Sequence, residues 1–151
     1  ASQTVENLRT LMNETASKLP EYPIVMKMKG VGPSLGPQLI AEIGDVTRFH
    51  SKGALTAFAG VDPGVNESGT YAQKSVPTSK RGSADLRKTL FQVMDALIKT
   101  MPQDDPVYLF LDKKRAQGKP YYVYMTAGAN KFLRIYYGRV NEYLSSLPDQ
   151  N

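Results

Sequence analysis

Hydrophobic residues fall at three- and four-residue intervals over most of this chain. Val5, Leu8, Leu11, Met12, Ala16 and Leu19 predict an amphipathic helix over residues 3–18, ended by Pro20 and Pro23. A short helix over 24–29 leads into Gly30-Val31-Gly32. A second helix over 34–43 is apolar at Leu35, Leu39, Ile40 and Ile43 and stops at Gly44-Asp45. Ser51 is placed to cap a helix over 52–59. Leu86, Leu90, Val93, Met94 and Leu97 share one face of a long helix predicted over 84–100, with Ser83 as its cap. The loop around Asp104-Asp105 caps the next helix, which starts at Pro106 and runs to 117 with Gly118 beyond it. The last helix starts at Pro120 and reaches about Ser146 despite Gly128.

Two stretches interrupt this pattern. Residues 60–69 carry Gly60, Pro63, Gly64, Asn66 and Gly69 and read as a turn-rich loop. Residues 70–76 alternate weakly, as a strand or hairpin arm would. The fold class expected is therefore mainly α. It is a compact helical domain with a helix-hairpin-helix-like element and a small β-hairpin or strand insertion. Residues 1–23 form an N-terminal helix that can end a coiled-coil linker, 24–147 form the domain proper, and 148–151 are a tail. Because the chain begins at Ala1, we expect it to be a piece of a longer protein.

Composition narrows the chemistry. The 151 residues carry a net charge of +5, which fits a nucleic-acid partner without requiring one. There is no cysteine and a single histidine, His50, so thiolate and paired-histidine metal sites are excluded. No apolar run approaches a membrane span, and no membrane partner is expected. The acids do not converge as a two-metal nuclease requires.

Most of the candidate chemistry lies in "ESGTYAQKSVPTSKRGSADLRK", residues 67–88. It holds four serines, two threonines, five basic residues and two acids. Lys74, Lys80, Arg81, Arg87 and Lys88 can face a polyanion, although a charge run is more often a solvated face. A serine attacks poorly unless a base, metal or cationic surround stabilises its alkoxide. With one histidine and no G-x-S-x-G elbow, a Ser-His-Asp hydrolase has little support. Chemistry alone does not rank Ser68, Ser75, Ser79 and Ser83, although Ser83 is accounted for as a cap and Tyr71 is a minor candidate.

A second motif is "VMKMKGVGPSLGPQLIAEIG", residues 25–44. Its glycines permit a tight turn and close backbone approach, and the following helix start and Lys27 and Lys29 favour phosphate. Phosphate contact through Lys29, Gly30 and Gly32 is the favoured reading. A plain turn between packed helices uses the same residues. The C-terminal tyrosines Tyr121, Tyr122, Tyr124, Tyr136, Tyr137 and Tyr143 can stack on bases, but at helical spacing they read first as packing.

The order of these parts resembles the C-terminal domain of the DEDD insertion-sequence transposases, a group that includes the Piv-type DNA invertases. "GVGPSLGPQLIAEIGDVTRFHSKGALTAFAGVDPGVNESG", "SKRGSADLRKTL" and "GKPYYVYMTAGANKFLRIYYGRV" carry the resemblance over residues 25–144. The markers are specific together and not singly. The resemblance implies a DNA transposase or site-specific recombinase whose C-terminal domain binds DNA and supplies a serine nucleophile for strand exchange. The family's Ser-Gly pair falls on Ser68-Gly69, with Ser79 the alternative. The resemblance also implies an N-terminal RuvC-like nuclease domain whose four acids hold Mg2+. Those acids have no counterpart here, so this fragment is expected to need no cofactor and to be inactive alone. It further implies a homo-oligomer at full length, in the cytoplasm of a bacterial or archaeal cell and associated with the nucleoid. Some members are guided by a structured noncoding RNA, a second candidate partner. Two other readings remain open. One is a non-catalytic helix-hairpin-helix nucleic-acid-binding domain of a repair or recombination protein, the other a helical protein-interaction domain.

Overall fold

Why does the stripe of Leu86, Leu90, Val93, Met94 and Leu97 lie on one face? In the computed structural model these five side chains are fully buried on a helix that the rest of the domain surrounds. The structure describes residues 2–62 and 80–148, with side chains for 4–62 and 84–148. The helices are α1 (Ser2–Ser17), α2 (Tyr22–Met26), α3 (Leu35–Ile43), α4 (Lys52–Ala59), α5 (Lys80–Thr100), α6 (Pro106–Ala116) and α7 (Tyr121–Ser146). A 3-10 turn (Val46–Arg48) lies between α3 and α4. Among the described residues there is no strand, and the domain is mainly α, as expected. The β element expected over 70–76 lies outside the described residues.

Helix α5 packs against α3, α4, α6 and α7, and α7 reaches α2, α4 and α6 as well. The α7 side of the core is Met125, Ala129, Phe132, Leu133, Tyr136 and Val140, at the same helical period as the α5 stripe. Gly128 lies where α5, α6 and α7 meet. A Cβ there would come within 2.9 Å of Met94 Sδ and 3.0 Å of Leu111 Cδ1. The helix therefore runs through this glycine because close packing offsets its low propensity, about 1 kcal/mol below alanine.

The local signals behave as read in most places. The Ser51 hydroxyl accepts from the Ala54 N–H at 3.1 Å. The Asp105 carboxylate accepts from the Tyr108 N–H at 2.9 Å, with Pro106 opening α6. Three boundaries differ. Pro23 lies in the first turn of α2 instead of ending α1, since a residue without an N–H fits where no intrahelical donor is needed. α5 begins at Lys80, so Ser83 is inside the helix and not its cap. Lysine and arginine are good helix formers, and one glycine at position 82 costs a packed helix only about 1 kcal/mol. The 3-10 turn was not anticipated. Asp45 starts it, accepting from the Thr47 N–H at 2.9 Å and the Thr47 hydroxyl at 2.7 Å. These bonds hold the Asp45 carboxyl below its usual range.

Helix α1 departs most from the packing its sequence suggests. It lies on α3 and α2 and buries Ala16, yet Leu8 is 60% exposed and Leu11 59%. Leu8, Leu11, Met12 and Leu19 line an apolar groove of about 280 Å³ against Pro37 and Ile40.

Candidate nucleic-acid interface

The glycine turn is built by α2, α3 and α5 together. Gly30 has φ +83°, a left-handed backbone that a side chain strains, and a Cβ there would come within 2.9 Å of Leu97 Cγ and 3.0 Å of the Val93 carbonyl oxygen. Gly30 thus packs its Cα closely against α5. Gly32 is different: a Cβ there would meet nothing within 4 Å, so its backbone faces open space. Lys27 and Lys29 beside the turn are exposed. Ser34 precedes α3 without a side-chain capping bond, and no acid lies in the first turn of α3. The exposed half of the turn, Gly32 with these lysines, is where a phosphate has room.

The polar segment expected to carry the nucleophile leaves the described structure after Asp62, on a firmly bonded base. The Asp62 carboxylate accepts from the Thr56 hydroxyl at 2.8 Å, and Asn130 Nδ2 donates to the Val61 carbonyl at 3.1 Å. Asn130 Nδ2 also lies 3.4 Å from Asp62 Oδ1, so α4 and α7 both hold this point. Two residues before Asp62, Gly60 ends α4 with φ +72°, and the Arg87 guanidinium of α5 lies directly over it. A cation there faces the negative end of the α4 dipole. The start of the segment is therefore held where α4 and α7 meet, and α5, which follows the segment, touches the end of α4 through Arg87.

The sequence-predicted residues divide accordingly. Lys29 and Lys88 are exposed and Arg87 is half-buried. Arg87 thus has a structural partner in the α4 terminus. Lys80 and Arg81 lie in the first turn of α5 and not before the helix. Ser68, Gly69, Lys74 and Ser79 lie outside the described residues, as does Tyr71. The two cationic elements do not form one cluster. Gly30 meets α5 at Val93 and Leu97, roughly 20–25 Å along the helix from Lys80 at about 1.5 Å per residue. One turn of duplex DNA, about 34 Å, spans that distance.

The acidic side chains do not assemble into a metal centre. Among the described residues no three of His, Cys, Asp or Glu come together to hold an ion. Glu42 on α3 is half-buried, and its Oε1 has no hydrogen-bond partner. Burial raises its carboxyl above the usual range and nearby Asp85 adds to this, while Thr89 and Gln38 oppose it. Thr89 and Gln38 bond each other at 3.1 Å. The tyrosines are sorted by packing. Tyr136 is fully buried with an unpartnered hydroxyl, raised by burial far above its usual range. Tyr137 donates to the Phe49 carbonyl at 3.1 Å. Sequence reasoning missed Thr56, Asp62 and Asn130 as the base of the segment. The one available signal was an amide, Asn130, among the apolar positions of α7.

A model of the transposase family described as IS116/IS110/IS902 matches residues 22–109. The pilin gene-inverting protein of Moraxella bovis is 28% identical over 131 residues, covering 87% of this chain and 38% of that protein. An uncharacterized 43.6 kDa protein of insertion element IS110 from Streptomyces coelicolor is 28% identical over 112 residues, covering 74% of this chain and 27% of that protein. The chain thus spans about a quarter to two fifths of the length of these relatives. No solved structure matches it.

Proposed function

This chain belongs to the IS116/IS110/IS902 transposase family, and on that premise we propose that it is the part of a recombinase that grips DNA and presents Ser68 to a phosphodiester. The observation that carries this is the bracing of the point where segment 63–79 begins, by Asp62 with Thr56 and Asn130, next to the α4 end that Arg87 of α5 covers. A base of that kind suits a segment whose chemistry depends on placement. In the proposed step the Ser68 hydroxyl gives up its proton, which the departing oxygen takes up through water. Its oxygen bonds to phosphorus, and a deoxyribose oxygen leaves with the electron pair of the broken P–O bond. Lys74, Lys80, Arg81 and Lys88 offset the charge that builds on the phosphate. Gly69 gives the backbone room beside the nucleophile. The Mg2+ of the DEDD, Piv-like group does not fit the described acids, and no step here runs through it. The helix-hairpin-helix reading of α2 and α3 rests on Lys29, Gly30 and Gly32, with the Gly30 Cα packed against α5 and the Gly32 Cα facing open space.

Binding tests the reading first. With about four to six phosphates contacted, the log–log salt dependence on duplex DNA should have a slope of roughly −4 to −5. Neutralising Lys80 and Arg81 together should flatten it by about two. Salt-independent affinity would overturn the proposal, and a structured RNA held in preference to duplex would reassign the partner.

We propose further that α1 pairs with a second copy through Leu8, Leu11, Met12 and Leu19, the side chains the fold leaves uncovered. Leu8→Glu with Leu11→Glu should abolish self-association measured by sedimentation. Because these positions are already exposed, the unfolding free energy should change by only about 0.5 kcal/mol. Unchanged self-association would reject the pairing.

A further inference from the structure

The start of α7 carries tyrosines that the core does not use. Tyr121 is 51% exposed and Tyr122 46%. Both rings lean on the half-buried Phe91 of α5, Tyr121 edge-on at 6.3 Å and Tyr122 tilted at 5.7 Å between centroids. Tyr124 meets Tyr121 edge-on at 5.6 Å, and the Arg115 guanidinium lies 5.8 Å from the Tyr124 ring centre. The rings Tyr122, Phe91, Tyr121 and Tyr124, with Arg115, thus run continuously from α5 across α7 to α6.

The charges around this surface are mostly positive. Lys88 lies one turn before Phe91 on α5, and Lys113, Arg115 and Lys119 are exposed at the end of α6 and the turn that follows. Two acids accompany them: Asp112, 3.7 Å from Arg115, and Asp95 near Tyr121. Burial and Asp95 raise the Tyr121 hydroxyl above its usual range, so the ring carries no charge at neutral pH. An apolar protein partner would find hydroxyls and cations here. An unpaired DNA strand would find flat faces for its bases and cations for its phosphates. At about 100° per residue, Phe91 is turned roughly 160° around α5 from Val93, the residue that meets Gly30. The surface is therefore on the far side of α5 from the glycine turn.

We propose that Tyr121 and Tyr122, backed by Phe91 and Tyr124, form a stacking platform for unpaired bases of a DNA strand, with Arg115 and Lys119 on its phosphates. The proposal rests on the DNA-handling reading above, because strand exchange leaves unpaired bases beside the cut. It gives the domain a second DNA-binding surface, on the other side of α5 from the glycine turn.

The test compares a single strand of about a dozen thymidines with a blunt duplex, using this chain. Tyr121→Ala with Tyr122→Ala should weaken single-strand binding about tenfold or more per ring and leave duplex binding within about twofold. Tyr121→Phe with Tyr122→Phe should bind the strand like the parent. A strand carrying 5-iodouracil should photocrosslink to Tyr121 or Tyr122 in the unaltered chain, a readout that does not depend on how a variant folds. Crosslinks mapped elsewhere, equal losses on strand and duplex, or unchanged strand affinity would overturn the platform. So would a preference above about tenfold for the matching RNA strand. If the parent binds neither strand nor duplex, the DNA-handling reading falls with it. If duplex binding keeps its salt slope while the alanine variant holds the strand normally, the platform alone falls.

Discussion

Ser68→Ala is expected to abolish strand exchange in a protein of the relatives' full length while leaving DNA binding and folding intact. The nucleophile has no substitute in the proposed step, since alanine offers no oxygen to bond to phosphorus. Stability should change by about 0.5 kcal/mol or less, as for a surface hydroxyl. Duplex affinity and its salt slope should also stay as they are, because the cations that set them are untouched. Ser79→Ala is the comparison: a hydroxyl that only contacts phosphate should give a partial loss. Trapping the covalent intermediate and mapping the DNA-bearing residue settles the assignment. Full recombination by Ser68→Ala, or an adduct on Ser79 or Tyr71, would overturn it.

Gly30→Ala is expected to lower the unfolding free energy by about 2–5 kcal/mol. A left-handed backbone costs a non-glycine residue about 1–2 kcal/mol, and overpacking against Val93 and Leu97 adds about 1–3. A domain with about 5–15 kcal/mol in total would be close to failure at physiological temperature. Gly32→Ala, two residues on, should leave the fold within about 0.5 kcal/mol, since a Cβ there meets nothing. If the Gly32 backbone touches phosphate, that methyl should still weaken duplex binding. Denaturant unfolding of the two variants separates their roles, and equal stability losses would refute the distinction.

The contrast between these glycines shows what a sequence can and cannot display. Both sit in the same G-V-G triplet and both were read as giving backbone access to phosphate. Only the packing tells that a side chain on Gly30 would collide with α5 while one on Gly32 would meet nothing. The same holds for the tyrosines: Tyr121 and Tyr136 share helical spacing, yet one is half exposed and the other sealed. Signals that act within a few residues were legible, such as Ser51 before α4, Asp105 with Pro106 before α6, and the period-matched face of α5. The anchoring of Asp62 was not, because its partner Asn130 is 68 residues away and periodicity carries no information at that range. The residues proposed for chemistry, Ser68 and Gly69, came from resemblance to a family and not from the hydroxyl pattern, which left four serines unranked.

The bond from Asn130 to the Val61 carbonyl also sets an order of events during synthesis. Its partners are 69 residues apart, and α7 is made after every other described helix. Contacts of such separation form late, after the intervening chain has been closed into a loop. A nascent chain that ends in α6 has made the whole serine-bearing segment but lacks the amide that steadies its base, and it also lacks Phe132 and Tyr136 from the core. The domain thus cannot brace the start of segment 63–79 until translation has passed through α7, so a product terminated before α7 carries Ser68 without the bond that steadies that point.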